Sequence, residues 1–166
     1  MRVLLVAVLA LVGVSAAWAI TPPPPPPKGD ALGTRYMDAK LTRGQEVPAP
    51  KGAVGAKGTF HATGTFECRE GEQACVSKPG KMTWRLTFSG LSGKAVAAHL
   101  HFGKSGKAGA VAVPLCGPCA SGAHGTLQIT RKVWNAASAK GLYVNVHTAK
   151  NPAGEIRGQI VISAVL

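Results

Sequence analysis

The sequence predicts an all-β domain, an antiparallel sandwich or barrel of about eight strands. Short segments that alternate apolar and polar residues recur at near-regular intervals after Arg35, and glycine-containing turns separate them. Only residues 132–140 have the character of a helix, and that helix would be short. A length of 166 residues allows one ordinary domain.

The clearest strand is Met82–Phe88, where Met82, Trp84 and Leu86 fall on one face and polar residues on the other. Further segments of strand character lie at 36–41, 59–67, 95–102, 110–115, 125–130, 142–147 and 155–162. Because turn residues separate neighbouring segments, the pattern favours antiparallel pairing.

The first residues resemble a secretory signal peptide, residues 1–19. Arg2 is followed by an apolar run, and the small residues around Trp18 predict cleavage after Ala19. A retained membrane anchor is the alternative, but the run of about 17 residues is at the short limit for spanning a bilayer. We therefore expect a secreted or periplasmic protein without a transmembrane segment in its mature form.

Residues 20–34 form a proline-rich linker, and residues 35–166 form the predicted β-sandwich domain. Six consecutive prolines precede Lys28, and such a run is a stiff polyproline II spacer. No cysteine follows Ala19 directly, which argues against lipid attachment there.

The chain is strongly basic, with a formal net charge of +12, of which the signal segment carries only Arg2. A basic secreted domain can bind an anionic surface by nonspecific attraction. The basic residues are spread from Lys28 to Arg157 and form no continuous run, so we expect no specific nucleic-acid partner.

Four cysteines in an exported chain predict disulfides, and three pairings are open. The local pairs Cys68 with Cys75 and Cys116 with Cys119 close the shortest loops. Cys116-Gly-Pro-Cys119 also copies the active-site sequence of thioredoxin-like oxidoreductases. Two glycines in the next few residues favour a loop over the helix that lowers a redox cysteine's pKa, so we favour a structural disulfide.

The best candidate for chemistry is a histidine cluster. His99 and His101 are two residues apart in a strand and therefore point to the same side, about 6.5–7 Å apart. His147 ends another apolar strand, and together the three make a plausible ligand set for copper, with zinc as the alternative. The competing interpretation is a buried polar network in which each ring bonds a backbone carbonyl or a carboxylate such as Glu46 or Glu155.

Two other histidines are weaker candidates. His61 lies in a strand without a partner nearby in the sequence, which favours a surface or packing role. His124 follows a glycine-containing loop, where it could join the metal site or cap a turn, and we favour the turn.

Four motifs resemble the CHRD domain, the family named after chordin, and they occur in that family's order. They are Leu41–Pro48, Ala97–Gly103, Tyr143–Thr148 and Pro152–Ile160. The resemblance covers roughly residues 37–162 and implies a single secreted domain of the bacterial type.

The His-x-His strand, the Val-x-Val-His strand and the final Gly-x-x-Arg-Gly-x-Ile strand are also similar to copper-zinc superoxide dismutases. That resemblance implies a Greek-key arrangement, copper ligands at His99, His101 and His147, and an anion-guiding role for Arg157. His124 is a doubtful stand-in for the histidine that bridges the two metals. No group of His and Asp after Gly103 matches the zinc ligands, so the implied site holds a single copper ion.

The leading hypothesis is a secreted CHRD-type domain that binds one copper ion through this cluster. A second hypothesis is a metal-free extracytoplasmic interaction module that binds another protein or an anionic surface. A third is a dismutase-like enzyme, which the missing zinc ligands make the weakest of the three. No catalytic residue is predicted.

Overall fold

A computed structural model describes residues 34–52, 54–65 and 79–164 of the chain. The predicted signal peptide, almost all of the proline-rich linker, and the proposed Cys68–Cys75 pair lie outside the described residues. The described residues belong almost entirely to the predicted domain, residues 35–166.

Nine strands and one short α-helix make up the described part of the domain. The strands are β1 Thr34–Thr42, β2 Lys57–Thr65, β3 Gly80–Ser89, β4 Ala95–Phe102, β5 Val111–Cys116, β6 Ala123–Ile129, β7 Leu142–Thr148, β8 Ile156–Gln159 and β9 Val161–Ala164. A single 3₁₀ turn at Arg43–Gln45 follows β1, and helix α1 spans Arg131–Ser138. The predicted short helix is present, and its N-cap Thr130 accepts a hydrogen bond from the Val133 amide.

All of these strands belong to one antiparallel sheet in the order β5-β4-β7-β8-β1-β2-β3-β6, with β9 paired to β1. Strands β3 and β6 are neighbours, as are β4 and β7, so the connections cross as in a Greek key. The segment between β5 and β6 ties the two ends of the sheet together. There the Cys119 amide donates to the Ala95 carbonyl, and the Gly122 amide donates to the Leu86 carbonyl. The predicted all-β fold is confirmed as a nearly closed barrel.

Alternation along the strands fills the barrel with apolar side chains. On β3, Met82, Trp84 and Leu86 are buried, while the residues between them are exposed. The other large, fully buried apolar side chains are Met37, Leu41, Phe60, Leu100, Ile129, Leu142, Ile156 and Ile160. This core is the largest favourable contribution to the stability of the fold.

The last predicted strand, 155–162, is broken into two strands. β8 pairs with β7 and β1, whereas β9 pairs with β1 alone, and Ile160 between them donates its amide to the Leu142 carbonyl. The sequence pattern did not indicate this break because both pieces keep strand character. In the part of the chain that the structure describes, no helix has the length and apolarity needed to cross a membrane.

Strand β7 is buried on both sides along its whole length. Its inward side chains join the core. Its outward side chains, together with those of β4 and β8, form what we call the covered face, which consists of His99, His101, Tyr143, Asn145, His147 and Arg157. Three loop segments cover this face and form hydrogen bonds with its side chains. They are residues 43–50, 103–110 and 149–155.

Candidate metal centre

The structure brings His99, His101 and His147 together. His99 lies opposite Asn145 and His101 opposite Tyr143 on adjacent β7, while His147 lies opposite Ala97. One ring nitrogen of each histidine falls in a group whose members all lie within 4.8 Å of one another. His101 and His147 are buried, and His99 is half-buried, so the cluster is open to solvent on the His99 side.

Backbone carbonyls orient two of the three rings. The His101 Nδ1 lies 3.0 Å from the Gly109 carbonyl oxygen, and the His147 Nδ1 lies 3.0 Å from that of Pro152. Since a carbonyl only accepts hydrogen bonds, each Nδ1 carries the proton and each Nε2 keeps its lone pair. Histidine ligands of metals are usually held in this way, with the non-ligating nitrogen donating to a carbonyl or carboxylate.

The remaining nitrogens face one another. His99 Nδ1 lies 3.2 Å from His147 Nε2, whereas His101 Nε2 is buried without a hydrogen-bond partner. Ligands that lie about 2 Å from one ion are separated by no more than about 4 Å, so the 4.8 Å bound requires at most a small movement of the rings. The donor set of three imidazole nitrogens therefore fits a transition-metal ion.

The structure also contains some of the contacts that the polar-network interpretation predicts. Two rings bond carbonyls, as that interpretation required, but neither Glu46 nor Glu155 bonds an imidazole among the described contacts. Carbonyl bonding at Nδ1 is common to both interpretations. The unpartnered His101 Nε2 favours the metal interpretation, because a nitrogen in a structural network usually has a partner.

The electrostatic environment keeps these rings neutral. Burial lowers the pKa of each of the three histidines. Hydrogen bonds to the Gly109 and Pro152 carbonyls act in the opposite direction on His101 and His147. Repulsion lowers each pKa further, from Arg157 for His101 and, for His99 and His147, from the charge that a neighbouring ring would carry when protonated. Because metals bind the unprotonated imidazole, a lowered pKa extends metal binding to more acidic solution.

Behind the cluster, Arg157 and Tyr143 form a stack with His101. The guanidinium carbon lies 3.4 Å from the centre of the Tyr143 ring, and the His101 ring stacks on Tyr143 at 5.0 Å. Arg157 is 1% exposed and donates to the Lys104 carbonyl at 2.9 Å. Its anion-guiding role stays a prediction, and its observed contacts are those of a buried residue that supports the ring of Tyr143.

Glu46 interacts electrostatically with Arg157 of this stack. Burial raises its pKa to about 6, although the Val47 amide, Arg157 and Asn145 act in the opposite direction. The Asn145 amide nitrogen lies 3.3 Å from Glu46 Oε1, while Glu46 Oε2, Asn145 Oδ1 and Arg157 Nη1 are buried without partners. The covered face thus contains a second concentration of polar atoms just beyond the histidines.

Glu155 is buried completely, and its hydrogen bonds connect the segments at one end of the covered face. It accepts hydrogen bonds from the Ser92 amide and hydroxyl, from Thr148 Oγ1 and from Asn151 Nδ2. Burial alone would raise the pKa of Glu155, but these donors outweigh it and hold the pKa below its usual value. Its carboxylate fixes the segment that carries the Pro152 carbonyl.

The other two histidines lie away from the cluster. His124 is exposed on β6, where its Nδ1 is 3.1 Å from the Gly122 carbonyl, in keeping with a role in the turn. His61 is exposed on β2 and bonds Asp38 at 2.6 Å. Neither belongs to the group of converging metal-ligating side chains found among the described residues.

A disulfide joins Cys116 to Cys119, as the spacing predicted. It closes the turn that follows β5, and the chain continues through a further turn into β6. No helix begins at this pair, so the helix N-terminus that activates a redox cysteine is missing from it.

Tyr143 and Asn145 belong to the site but were not singled out from the sequence. Their place in the pattern, four and two residues before His147 in a strand, puts them on the same side as that histidine. No sequence pattern indicates that the Gly109 and Pro152 carbonyls belong to the site. Any residue supplies a carbonyl, and only the loop conformation directs it toward a histidine.

The comparisons with known proteins agree with the four motifs. No curated protein and no solved structure matches the chain. A family model described as the CHRD domain matches residues 37–160, which include β1 through β8 almost completely and every residue of the covered face. The chain belongs to the CHRD domain family.

Proposed function

We propose that this CHRD domain binds a single copper ion through His99 Nδ1, His101 Nε2 and His147 Nε2. The observation that carries the proposal is the convergence of three neutral imidazoles, one of which has a buried nitrogen without a partner. Binding takes place outside the cytoplasm, where CHRD domains are typically found. The role is copper handling or sensing rather than turnover.

Copper is preferred to zinc on chemical grounds. For a given set of nitrogen ligands, Cu(II) binds more tightly than the other divalent first-row ions. Three protein ligands leave the rest of the coordination sphere to water or a small ligand, and the half-buried His99 marks the solvent side. Zinc would use the same three nitrogens, so competition between the two ions decides between them.

The test is retention of copper by purified protein. Loaded with Cu(II) and dialysed, the wild type should keep about one equivalent per chain. The double variant His99→Ala/His101→Ala should lose it. The matched control is His61→Ala/His124→Ala, which removes the same number of imidazoles from exposed positions and should retain the ion. Stoichiometric retention by the first variant, with a visible spectrum like that of the wild type, would refute the site.

The other hypotheses make different predictions in the same experiment. If the wild type retains no copper or zinc, the metal-free interaction module is favoured. If the copper-loaded protein consumes superoxide and the His99→Ala/His101→Ala variant does not, the dismutase-like hypothesis is favoured. That outcome would also favour an anion-guiding role for Arg157.

A further inference from the structure

The opposite side of the barrel carries a second, uncovered surface. We call it the open face, and it consists of the outward side chains of β1, β2, β3 and β6. The pairing registers align them in rows across the sheet, for example Tyr36 with Thr63, Thr83 and Thr126. Each described side chain on this face is exposed or half-buried.

Hydroxyl groups and cations dominate the open face. Its threonines are Thr42, Thr59, Thr63, Thr65, Thr83, Thr87 and Thr126. Its permanently cationic residues are Lys40, Lys57, Lys81 and Arg85. Tyr36 is its single aromatic residue among these outward positions, and it is 47% exposed.

The charge balance of this face is strongly positive. Asp38 is the acidic residue among its described outward positions, and its carboxylate is hydrogen-bonded to His61 at 2.6 Å. Arg85 stands beside His61 in the next strand, and Lys40 and Lys57 lie toward one end of the same face. A ligand approaching the open face therefore meets cations and hydroxyl donors.

The middle of the open face is a shallow depression of about 350 Å³. Its lining includes Tyr36, Asp38, His61, Thr63, Thr83 and Arg85. One exposed aromatic ring, one guanidinium and several hydroxyl groups thus surround the same hollow. This depression is separate from the histidine cluster, which lies on strands β4 and β7.

We propose that the open face binds an acidic polysaccharide, a sugar chain that carries carboxylate or sulfate groups. Charge complementarity selects an anion, and the threonine rows offer hydrogen bonds to sugar hydroxyls. The Arg85 guanidinium can bind a carboxylate or sulfate through two donors, while the lysines attract charge at longer range. The apolar side of a sugar ring packs on the exposed ring of Tyr36.

The same composition disfavours other anionic partners. Proteins that bind single-stranded nucleic acid stack successive bases on several aromatic side chains, whereas this face has one. Duplex DNA is read by an element that enters a groove, and a face of four paired strands is wider than the helix or two-stranded ribbon that the major groove admits. Protein interfaces are anchored by clusters of large side chains at their centre, whereas the described outward positions of these four strands include Tyr36 as their one aromatic residue and no aliphatic residue.

The experiment measures binding of purified protein to heparin and to polygalacturonate, with neutral dextran as reference. A chelator is present throughout, so that the result does not depend on copper binding. The variant Arg85→Gln/Lys40→Gln/Lys57→Gln should lose about tenfold or more in affinity, the loss of at least one charge-assisted contact. The matched control, Lys94→Gln/Lys107→Gln/Lys150→Gln, removes the same charge from exposed positions off this face and should lose much less.

Two single variants separate a specific surface from general attraction. Arg85→Lys keeps the charge but removes the planar fork, and Tyr36→Ala changes no charge, so a weakened affinity in each supports the proposal. Preference for polygalacturonate or for heparin identifies carboxylate or sulfate as the recognised group. Equal losses in the two triple variants, wild-type affinity in both single variants, or tighter binding to duplex DNA or to anionic vesicles would overturn it.

Discussion

The covered face and the open face are built from the same kinds of residue on the same sheet. Each has an arginine, a tyrosine and at least two histidines on outward positions of neighbouring strands. Arg157 is 1% exposed, whereas Arg85 is exposed, and Tyr143 is 3% exposed against 47% for Tyr36. Three loops cover one face, while the outward side chains of the other remain accessible.

Burial changes what these residues do. On the covered face it lowers the pKa of all three histidines and raises that of Glu46 to about 6. On the open face, His61 and Asp38 are hydrogen-bonded in contact with solvent, and such an exposed pair contributes little to stability. The loops, rather than the residue types, make one face a candidate metal centre and the other a candidate recognition surface.

The largest expected difference between the faces concerns their arginines. Arg157→Ala removes the stack on Tyr143 and the hydrogen bond to the Lys104 carbonyl, and it deprives Glu46 of a cation with which it interacts. We expect the free energy of unfolding in urea to fall by about 3 kcal/mol. Arg85→Ala is the matched change on the open face and should stay within about 0.5 kcal/mol of wild type. Equal effects would show that the loops do not seal the covered face.

The pH dependence of stability should also separate the faces. The unfolded histidines titrate near the ordinary value of 6.5, while the folded pKa values of His99, His101 and His147 are lower. Below that ordinary value the unfolded chain binds more protons than the folded one. The contribution of these histidines to the stability of the metal-free protein is therefore fully present above about pH 6.5 and is lost as the pH falls through their lowered folded pKa values.

Urea unfolding of chelator-treated protein between about pH 8 and pH 6 measures this slope. His99→Ala/His101→Ala should flatten it, and His61→Ala/His124→Ala should not. Below about pH 6 the raised pKa of Glu46 acts in the opposite direction, because the folded protein then takes up a proton that the unfolded chain does not. A slope unchanged by loss of His99 and His101 would contradict their depressed pKa values.

Local patterns in the sequence were enough to predict the fold and to single out the three histidines that converge on the covered face. Alternation located Met82–Phe88 and the other strands, and spacing placed His99 and His101 on one side. The remaining parts of the site depend on contacts that are distant in the sequence. Glu46 meets Asn145 across 99 residues, and no local pattern encodes that approach or the loop that aims the Gly109 carbonyl at His101.

The smallest expected difference concerns the two tyrosine hydroxyls. Tyr143→Phe keeps the ring between His101 and Arg157 but removes the oxygen that accepts a hydrogen bond from the Gly109 amide at 3.2 Å. We expect a loss of about 1 kcal/mol in the free energy of unfolding. Tyr36→Phe, the matched change on the open face, should leave stability unchanged because water replaces the contacts of an exposed hydroxyl.

The same variant connects the loop to the proposed metal site. Gly109 uses its amide to bond Tyr143 and its carbonyl to bond His101, so loosening one contact loosens the other. Copper affinity measured by competition with a chelator should therefore fall in Tyr143→Phe, by less than in any variant that removes a ligand. If affinity is unchanged while stability falls, the covering loop protects the histidines from solvent without orienting them.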